Sequence, residues 1–206
     1  MNREDLLSWH KKAMNFSQDI VMVECLDTDT EVAVQEKDGY LLLSFMGSGS
    51  KLDWKQNFSF WKVPYKDMKK RFFVHAGFMK KFKSVLDALV PYIEKHSDVQ
   101  VAGFSQGGAL AILMHEDIWF HYPEKKLHTV TFGAPRVFAS WGYRALLPRF
   151  QNILHVINKN DIVPAVPFCW MFYRRVGRVQ KLGRRWLPLS VKDHLTYASS
   201  IEAMKE

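Results

Sequence analysis

The chain of 206 residues contains 48% hydrophobic and 24% charged residues, which excludes a disordered chain, a collagen-like chain and a coiled coil. Its length fits one globular domain, so we predict a single domain over residues 1–206. The net charge of +8 favours anionic partners, but it does not choose between nucleic acid, anionic lipid and an acidic substrate.

The first half of the chain shows clear helical and β-strand patterns. Apolar residues recur at helical spacing in two segments, and two β-rich runs flank Asp38-Gly39, a strong hairpin turn signal. The second of these runs, Tyr40–Phe45, is almost continuously apolar, which is typical of a strand covered on both faces. The predicted elements are a helix, two strands and a second helix, over residues 3–18, 30–34, 40–45 and 77–95. Residues 53–70 fit no element.

In the second half, short apolar strands alternate with helical segments. We predict strands over 99–104, 127–132 and 153–157, a helix from 105 to about 120, a hairpin over 172–182 around Gly177, and a final helix over 194–204. Strands that alternate with helices indicate βαβ units. The predicted fold class is therefore α/β, with a mostly parallel central sheet and helices on both faces.

The motif that carries chemistry is Gly103-Phe104-Ser105-Gln106-Gly107, which fits the pattern G-x-S-x-G. A predicted strand precedes it and a predicted helix follows it, as the turn that exposes a nucleophilic serine requires. Gly103 and Gly107 lack the Cβ atoms that would clash where strand and helix approach closely. The alternative is an ordinary glycine-rich turn between a strand and a helix, which binds phosphate or nothing.

A nucleophilic serine needs a base, and in this arrangement an acid and then a histidine follow it along the chain. The histidines beyond Ser105 are His115, His121, His128, His155 and His194. The first four lie on the helix after Ser105, at the wrong end of a strand or inside a buried strand. Asp161 follows the strand 153–157, where open parallel sheets place ligand groups. Only Ser105, Asp161 and His194 satisfy order and position together.

Several further motifs resemble those of the class 3 lipases, a family of α/β-hydrolases that act on acylglycerols and related lipids. They are Phe45-Met46-Gly47-Ser48, Asp53-Trp54, Val74-His75-Ala76-Gly77-Phe78, Thr131-Phe132-Gly133-Ala134-Pro135-Arg136-Val137, Asn160-Asp161-Ile162-Val163-Pro164 and Asp193-His194 with Tyr197. The resemblance implies that Ser105 is the nucleophile, Asp161 the residue that orients the base, and His194 the base. It implies oxyanion donors at Ser48 and at the backbone N–H of Gln106, and chemistry without metal or cofactor.

Three positions depart from the family pattern. Met46 stands where the family usually has Arg, and Phe104 and Gln106 stand where it often has His and Leu. The turn around Ser105, called the elbow below, instead resembles that of acyl-protein thioesterases and small carboxylesterases. A soluble carboxylesterase or acyl thioesterase, or a catalytically silent lipase-like binding protein, therefore stays an alternative to a lipase or phospholipase.

Two clusters mix aromatic and basic residues, which suits an anionic lipid surface. They are Trp54, Lys55, Phe58, Phe60, Trp61, Lys62, Tyr65 and Lys66, and Trp170, Phe172, Tyr173, Arg174, Arg175, Arg178, Lys181, Arg184, Arg185 and Trp186. The alternative is that the aromatic residues belong to the core. We expect a lipid or small ester as substrate and no nucleic acid. Because residues 1–5 lack the apolar core of a signal peptide, we expect a cytoplasmic protein, peripheral at membranes.

Overall fold

The computed structural model describes residues 1–14, 20–47, 61–65, 72–139, 143–183 and 188–204, and for 143–146 the backbone only. The α-helices are α1 (Arg3–Met14), α2 (Ala76–Lys95), α3 (Gln106–His121) and α4 (Tyr197–Glu202). The strands of the first half are β1 (Val21–Cys25), β2 (Thr30–Lys37), β3 (Tyr40–Phe45), β4 (Lys62–Pro64) and β5 (Phe73–His75). Those of the second half are β6 (Asp98–Phe104), β7 (Lys126–Phe132), β8 (Phe138–Ala139), β9 (Ile153–Asn158), β10 (Tyr173–Arg174) and β11 (Arg178–Leu182).

Seven of the described strands form one sheet in the order β1-β2-β3-β6-β7-β9-β11. The pairs from β3 through β11 are parallel, whereas β1, β2 and β3 pair antiparallel. The predicted mostly parallel sheet is therefore confirmed. Because parallel strands share a direction, the ends of β6, β7 and β9 meet at one edge, where the loops that follow them come together.

Helices cover both faces of this sheet, as predicted. The apolar positions of α2 recur at helical spacing and are buried against α3 and the strands, among them Phe82, Val85 and Leu89. The opposite face is covered by α1 and α4, whose Leu6 and Ile201 pack with Phe132 and other sheet residues. Nearly every residue of β3 is buried, as its apolar run predicts.

The predicted hairpin over 172–182 is wrong. Strand β10 pairs antiparallel with β8 in a small second sheet, ordered β10-β8-β5-β4, while β11 pairs parallel with β9. Gly177 separates the two strands at φ +82°. A Cβ on Gly177 would lie 3.0 Å from the Cβ of Ile153, so the glycine lets the chain pass close to the start of β9 and continue along it.

Other elements differ in extent. The turn at Asp38-Gly39 joins β2 and β3 as predicted, with Gly39 at φ +88°. Strand β1 was not predicted, and the final helix starts at Tyr197, after a 3-10 turn over Lys192–Leu195. Residues 15–18 of the first predicted helix, and the unassigned stretch 53–70 apart from 61–65, lie outside the described residues. No described helix has the length and apolar character needed to cross a membrane.

Candidate active site

Ser105 stands at the sharp turn between β6 and α3. Its backbone has φ +54° and ψ −124°, a conformation that costs free energy for a residue with a side chain and persists where the surroundings impose it. The Ser105 N–H donates to the carbonyl of Phe132 at 2.9 Å, and the Ser105 carbonyl accepts from the N–H of Gly108 at 3.0 Å. The turn predicted from G-x-S-x-G is therefore present, with the serine at the start of a sixteen-residue helix.

Glycine is required on both sides of this serine. A Cβ on Gly103 would lie 2.6 Å from the carbonyl carbon of Gly107, and one on Gly107 would lie 2.6 Å from the carbonyl carbon of Met46. A Cβ on Gly108 would lie 2.6 Å from that of Ala134. These contacts involve backbone or short rigid groups that cannot move aside, which confirms the steric role predicted for Gly103 and Gly107.

Asp161 and His194 form a buried hydrogen-bonded pair. The Nδ1 atom of His194 lies 2.8 Å from Oδ2 of Asp161, and the two residues are 1% and 3% exposed respectively. Asp161 lies in the loop after β9, and His194 in the 3-10 turn that precedes α4. A carboxylate that binds one imidazole nitrogen fixes the orientation of the ring and the position of Nε2, the atom that transfers protons in such pairs.

Two further donors fix the Asp161 carboxylate. The hydroxyl of Tyr197 donates to Oδ2 at 2.7 Å, and the N–H of Val163 donates to Oδ1 at 2.9 Å. Burial, and then the negative charge of Asp161, raises the pKa of Tyr197 well above its ordinary value, so the phenol keeps its proton and remains a donor. Tyr197 appeared in the sequence only as part of a motif; its hydrogen bond required the structure.

The loops that carry Asp161 and His194 are joined by backbone hydrogen bonds. The N–H of Ile162 donates to the carbonyl of Ser190 at 3.2 Å, and the N–H of Ser190 donates to the carbonyl of Asn160 at 2.8 Å. The Asn158 side chain donates to the carbonyl of Asp193 at 2.8 Å. These bonds make the two loops one unit, although they lie about thirty residues apart in the chain.

Phe104 and Gly133 pack directly against the imidazole. The Phe104 ring stacks on His194 with centroids 4.7 Å apart and an interplanar angle of 28°. Gly133 has φ +63°, and a Cβ there would lie 2.6 Å from Cε1 of His194 and 3.1 Å from Oδ2 of Asp161. Phe104 precedes Ser105 and Gly133 follows the strand whose carbonyl binds Ser105, so both connect the serine to the Asp161–His194 pair.

The predicted oxyanion donors are only partly described. Gln106 is the first residue of α3, where backbone N–H groups have no partner within the helix. Ser48 lies outside the described residues, but Gly47 before it is described. A Cβ on Gly47 would lie 3.6 Å from Cβ of Ser105, which brings the start of that loop beside the serine.

The two aromatic clusters are split between core and surface. Tyr65 and Tyr173 are buried, whereas Trp61 and Trp170 are 77% and 72% exposed. The Lys62 ammonium lies 5.3 Å from the ring centroid of Tyr173, so the two clusters meet. Eight members lie outside the described residues: Trp54, Lys55, Phe58, Phe60, Lys66, Arg184, Arg185 and Trp186. Among the described residues, no group of three or more His, Cys, Asp and Glu side chains could hold a metal ion.

The order of the strands, the strained serine turn and the buried acid–histidine pair at the carboxyl edge of the sheet define an α/β-hydrolase fold. The model of the family described as lipase (class 3) matches residues 42–171, and the chain belongs to this family. The fold agrees: a lipase structure from Rhizopus microsporus var. chinensis superposes with a TM-score of 0.81, covering 95% of this chain and 86% of that one at 21% identity.

Two curated relatives extend the comparison. Toxin TseL of Vibrio cholerae is 35% identical over 103 residues, which are 48% of this chain and 15% of the toxin. A lipase of Rhizomucor miehei is 29% identical over 154 residues, which are 68% of this chain and 41% of that lipase. The chain thus spans less than half the length of each.

Proposed function

We propose that this protein is a serine ester hydrolase that cleaves acyl esters of lipids, either acylglycerols or phospholipids. The observation that carries the proposal is the buried hydrogen bond of 2.8 Å between Asp161 and His194, whose ring stacks on the residue before Ser105. Family membership and relatives named as lipases support the same class of reaction.

In the proposed reaction, Oγ of Ser105 attacks the acyl carbonyl carbon while its proton passes to Nε2 of His194. Asp161 stabilises the imidazolium that forms and does not itself take the proton. When the tetrahedral intermediate collapses, the carbon–oxygen bond to the alcohol breaks and His194 protonates the leaving oxygen. A water molecule, deprotonated by His194, then attacks the acyl-serine ester, which releases the fatty acid and restores Ser105.

The negative charge on the carbonyl oxygen needs hydrogen-bond donors. We propose the backbone N–H of Gln106 together with Ser48, because Gln106 opens α3 and Gly47 lies beside Ser105. The positive end of the α3 dipole adds to the stabilisation. In enzymes of this kind, the loss of one such donor costs about 3 kcal/mol of transition-state stabilisation.

Labelling with a fluorophosphonate, which phosphonylates an activated serine, tests the nucleophile. We expect the wild-type protein to be labelled at Ser105 and the Ser105→Ala variant not to be labelled. Ser8→Ala is the matched control, because Ser8 is an exposed serine on α1. If the folded wild type is not labelled, or if Ser105→Ala is labelled as well, the proposal is wrong and a silent lipase-like binding protein is favoured.

The lipid part of the proposal has support from the surface. Trp61, Trp170 and Leu195, which follows His194, are each more than 70% exposed, and Arg174 lies close to Trp170 in the chain. Exposed aromatic and aliphatic groups mixed with cations favour contact with an anionic lipid surface. We therefore propose that the substrate is met at such a surface.

A soluble carboxylesterase or acyl thioesterase is the second candidate, favoured by Phe104 and Gln106 at the elbow. Hydrolysis of p-nitrophenyl esters of increasing chain length, with and without anionic vesicles, separates the two. A lipid hydrolase should prefer long acyl chains and gain activity on vesicles. A preference for short esters without a vesicle effect would favour the soluble enzyme. Ser105→Ala measures the background hydrolysis for each ester.

A further inference from the structure

A small pocket lies beside Asp161, at the ends of β9 and β11. Its volume is about 110 Å³, and half of its lining residues are basic: Arg136, Lys159, Arg175 and Lys181, with Ile157, Asp161, Pro164 and Ala165. Ile157 and Lys181 are register partners on neighbouring strands, and Lys159 directly follows β9. The Asp161 carboxylate offsets one of these four positive charges, so positive charge remains in excess among the described lining residues, and like charges that converge repel one another.

The two arginines are fixed in place by the backbone. The Arg136 guanidinium donates to the carbonyls of Ala165 and Pro167, and the Arg175 guanidinium donates to those of Ala134 and Pro164. Carbonyl oxygens orient the guanidinium groups but do not neutralise their charge. Burial, and then the neighbouring charge of Arg136, lowers the pKa of Arg175 to about 10. The pocket therefore contains oriented positive charge that an anion would stabilise.

The two lysines complete the basic part of the lining. Lys159 and Lys181 are exposed, and neither forms an ion pair with a residue that the structure describes. The aliphatic part of the Lys159 side chain lies near Gly183, since a Cβ on Gly183 would lie 3.4 Å from Cγ of Lys159. Flexible ammonium groups and guanidinium groups fixed by the backbone, lining one pocket, form a suitable arrangement for capturing an anion from solution.

The size and charge of the pocket select the class of anion. One water molecule needs only about 10–15 Å³ of such space, so about 110 Å³ leaves room for a small polyatomic anion. A phosphate monoester carries about two negative charges at neutral pH, whereas a carboxylate carries one. We propose that this pocket binds a phosphate monoester group, supplied either by a free phosphate compound or by the headgroup of a phospholipid such as phosphatidic acid.

The phosphate site lies next to the catalytic residues without being part of them. Asp161 contributes to the lining, and its negative charge acts on Arg175. A headgroup phosphate held here would place the rest of the lipid at the edge of the sheet where Ser105 and His194 lie. If the phosphate comes from a lipid, this inference deepens the proposed function by naming phospholipids as substrates; the binding itself does not depend on hydrolysis.

The test uses the full chain as the Ser105→Ala variant, so binding is measured without turnover. Isothermal titration calorimetry with inorganic phosphate at constant ionic strength should show saturable binding of one phosphate per chain. Lys159→Ala with Lys181→Ala should weaken it at least tenfold, and the two corresponding Lys→Arg changes should retain it. Lys80→Ala with Lys83→Ala is the matched control, because these exposed lysines of α2 remove the same charge away from the pocket lining.

Co-sedimentation with phosphatidylcholine vesicles, with and without phosphatidic acid, separates the two sources. Loss of binding to phosphatidic acid in the Lys159/Lys181 variant but not in the Lys80/Lys83 variant supports a lipid headgroup. Equal vesicle binding by both variants, with phosphate binding lost only in the first, supports a free phosphate compound. Absence of saturable phosphate binding, an equal loss in both variants, or equally tight binding of acetate overturns the inference. None of these results depends on ester hydrolysis, which is tested separately.

Discussion

At the scale of single residues, Gly133 controls the space beside the Asp161–His194 pair. Its backbone is left-handed, and the imidazole and carboxylate lie where a side chain would otherwise be. Two constraints therefore act at one position, the conformation and the close approach. The sequence shows the glycine after a predicted strand, but only the coordinates show that a histidine sixty-one residues later packs against it.

Gly133→Ala should displace the imidazole from its place and lower kcat/KM by about 100-fold, since displacements near 1 Å cost that much in catalysis. Gly39→Ala is the matched control, because Gly39 is also left-handed but has nothing within 4 Å of its Cβ position. Ester hydrolysis by both variants, with folding checked by circular dichroism, makes the comparison. An unchanged kcat/KM for Gly133→Ala would contradict this view of the site.

The sequence could single out Ser105 and Asp161 as candidates because each follows a local rule. Ser105 lies in a glycine-flanked turn, and Asp161 follows a short apolar strand. Phe104 and Tyr197 also contact the pair, but their roles depend on distances between separate segments of the chain. Such contacts are set by tertiary packing, which hydrophobic periodicity along the sequence does not predict.

At the scale of elements, α1 supports the strands that carry the site from behind. Leu6 is fully buried and belongs to the same apolar cluster as Ala102 and Phe132, near the ends of β6 and β7. The ring of His10, also on α1, lies 5.0 Å from that of Phe132 in an edge-to-face arrangement. The helix therefore contributes to the stability of the edge at which Ser105 lies.

Leu6→Ala should lower the free energy of unfolding by about 2–5 kcal/mol, because it opens a cavity in a packed core. Leu26→Ala should change it by less than about 0.5 kcal/mol, since Leu26 is 89% exposed. Urea denaturation followed by circular dichroism measures both. Equal effects of the two substitutions would show that α1 is not packed on the sheet as described.

The elements that the sequence predicted well have strong periodic signals, as in α2 and in β3. The failed hairpin over 172–182 shows what such signals lack. Gly177 between two β-rich runs is typical of a turn, yet the partners of β10 and β11 are the distant strands β8 and β9. A local pattern predicts that a strand exists, whereas the choice of partner depends on the rest of the sheet.

At the scale of the whole molecule, several buried titratable groups resist changing their charge. Burial lowers the pKa of His75 and His115 to about 4 and that of His155 to about 3. Burial also raises the pKa of Glu116 to about 7, even though Arg149 pairs with it. Two of these histidines are hydrogen-bonded in the core: His115 to the hydroxyl of Thr129, and His155 to the hydroxyl of Thr131.

These groups predict acid sensitivity of the fold. Each histidine has a lower pKa when folded, so it takes up a proton on unfolding, and stability is lost as the pH falls below about 6.5. Glu116 acts in the opposite direction between its ordinary 4.5 and about 7, because the folded state holds that proton. Between about pH 4.5 and 6.5, unfolding should therefore take up about three protons at the histidines and release about one from Glu116. The net uptake of about two protons corresponds to a loss of roughly 2.7 kcal/mol in the free energy of unfolding for each unit by which the pH falls.

Urea denaturation at pH 7.0, 6.0 and 5.0 checks this expectation. The urea concentration at the midpoint should stay nearly constant above pH 6.5 and fall steadily below it. A midpoint that stays constant down to pH 5.0, or that rises, would show that folding does not lower the pKa values of these histidines.

The backbone bonds between the loops that carry Asp161 and His194 have a consequence for how enzymes built this way can diverge. The backbone of Ser190 hydrogen-bonds both Asn160 and Ile162, so the chain leaves the Asp161–His194 pair near residue 163 and returns to it near residue 190. Substitutions between these two points can alter charge and shape while both ends stay anchored. New substrate preferences can therefore evolve in this stretch, which includes Arg175 and Lys181 of the phosphate site, without moving the acid away from the imidazole.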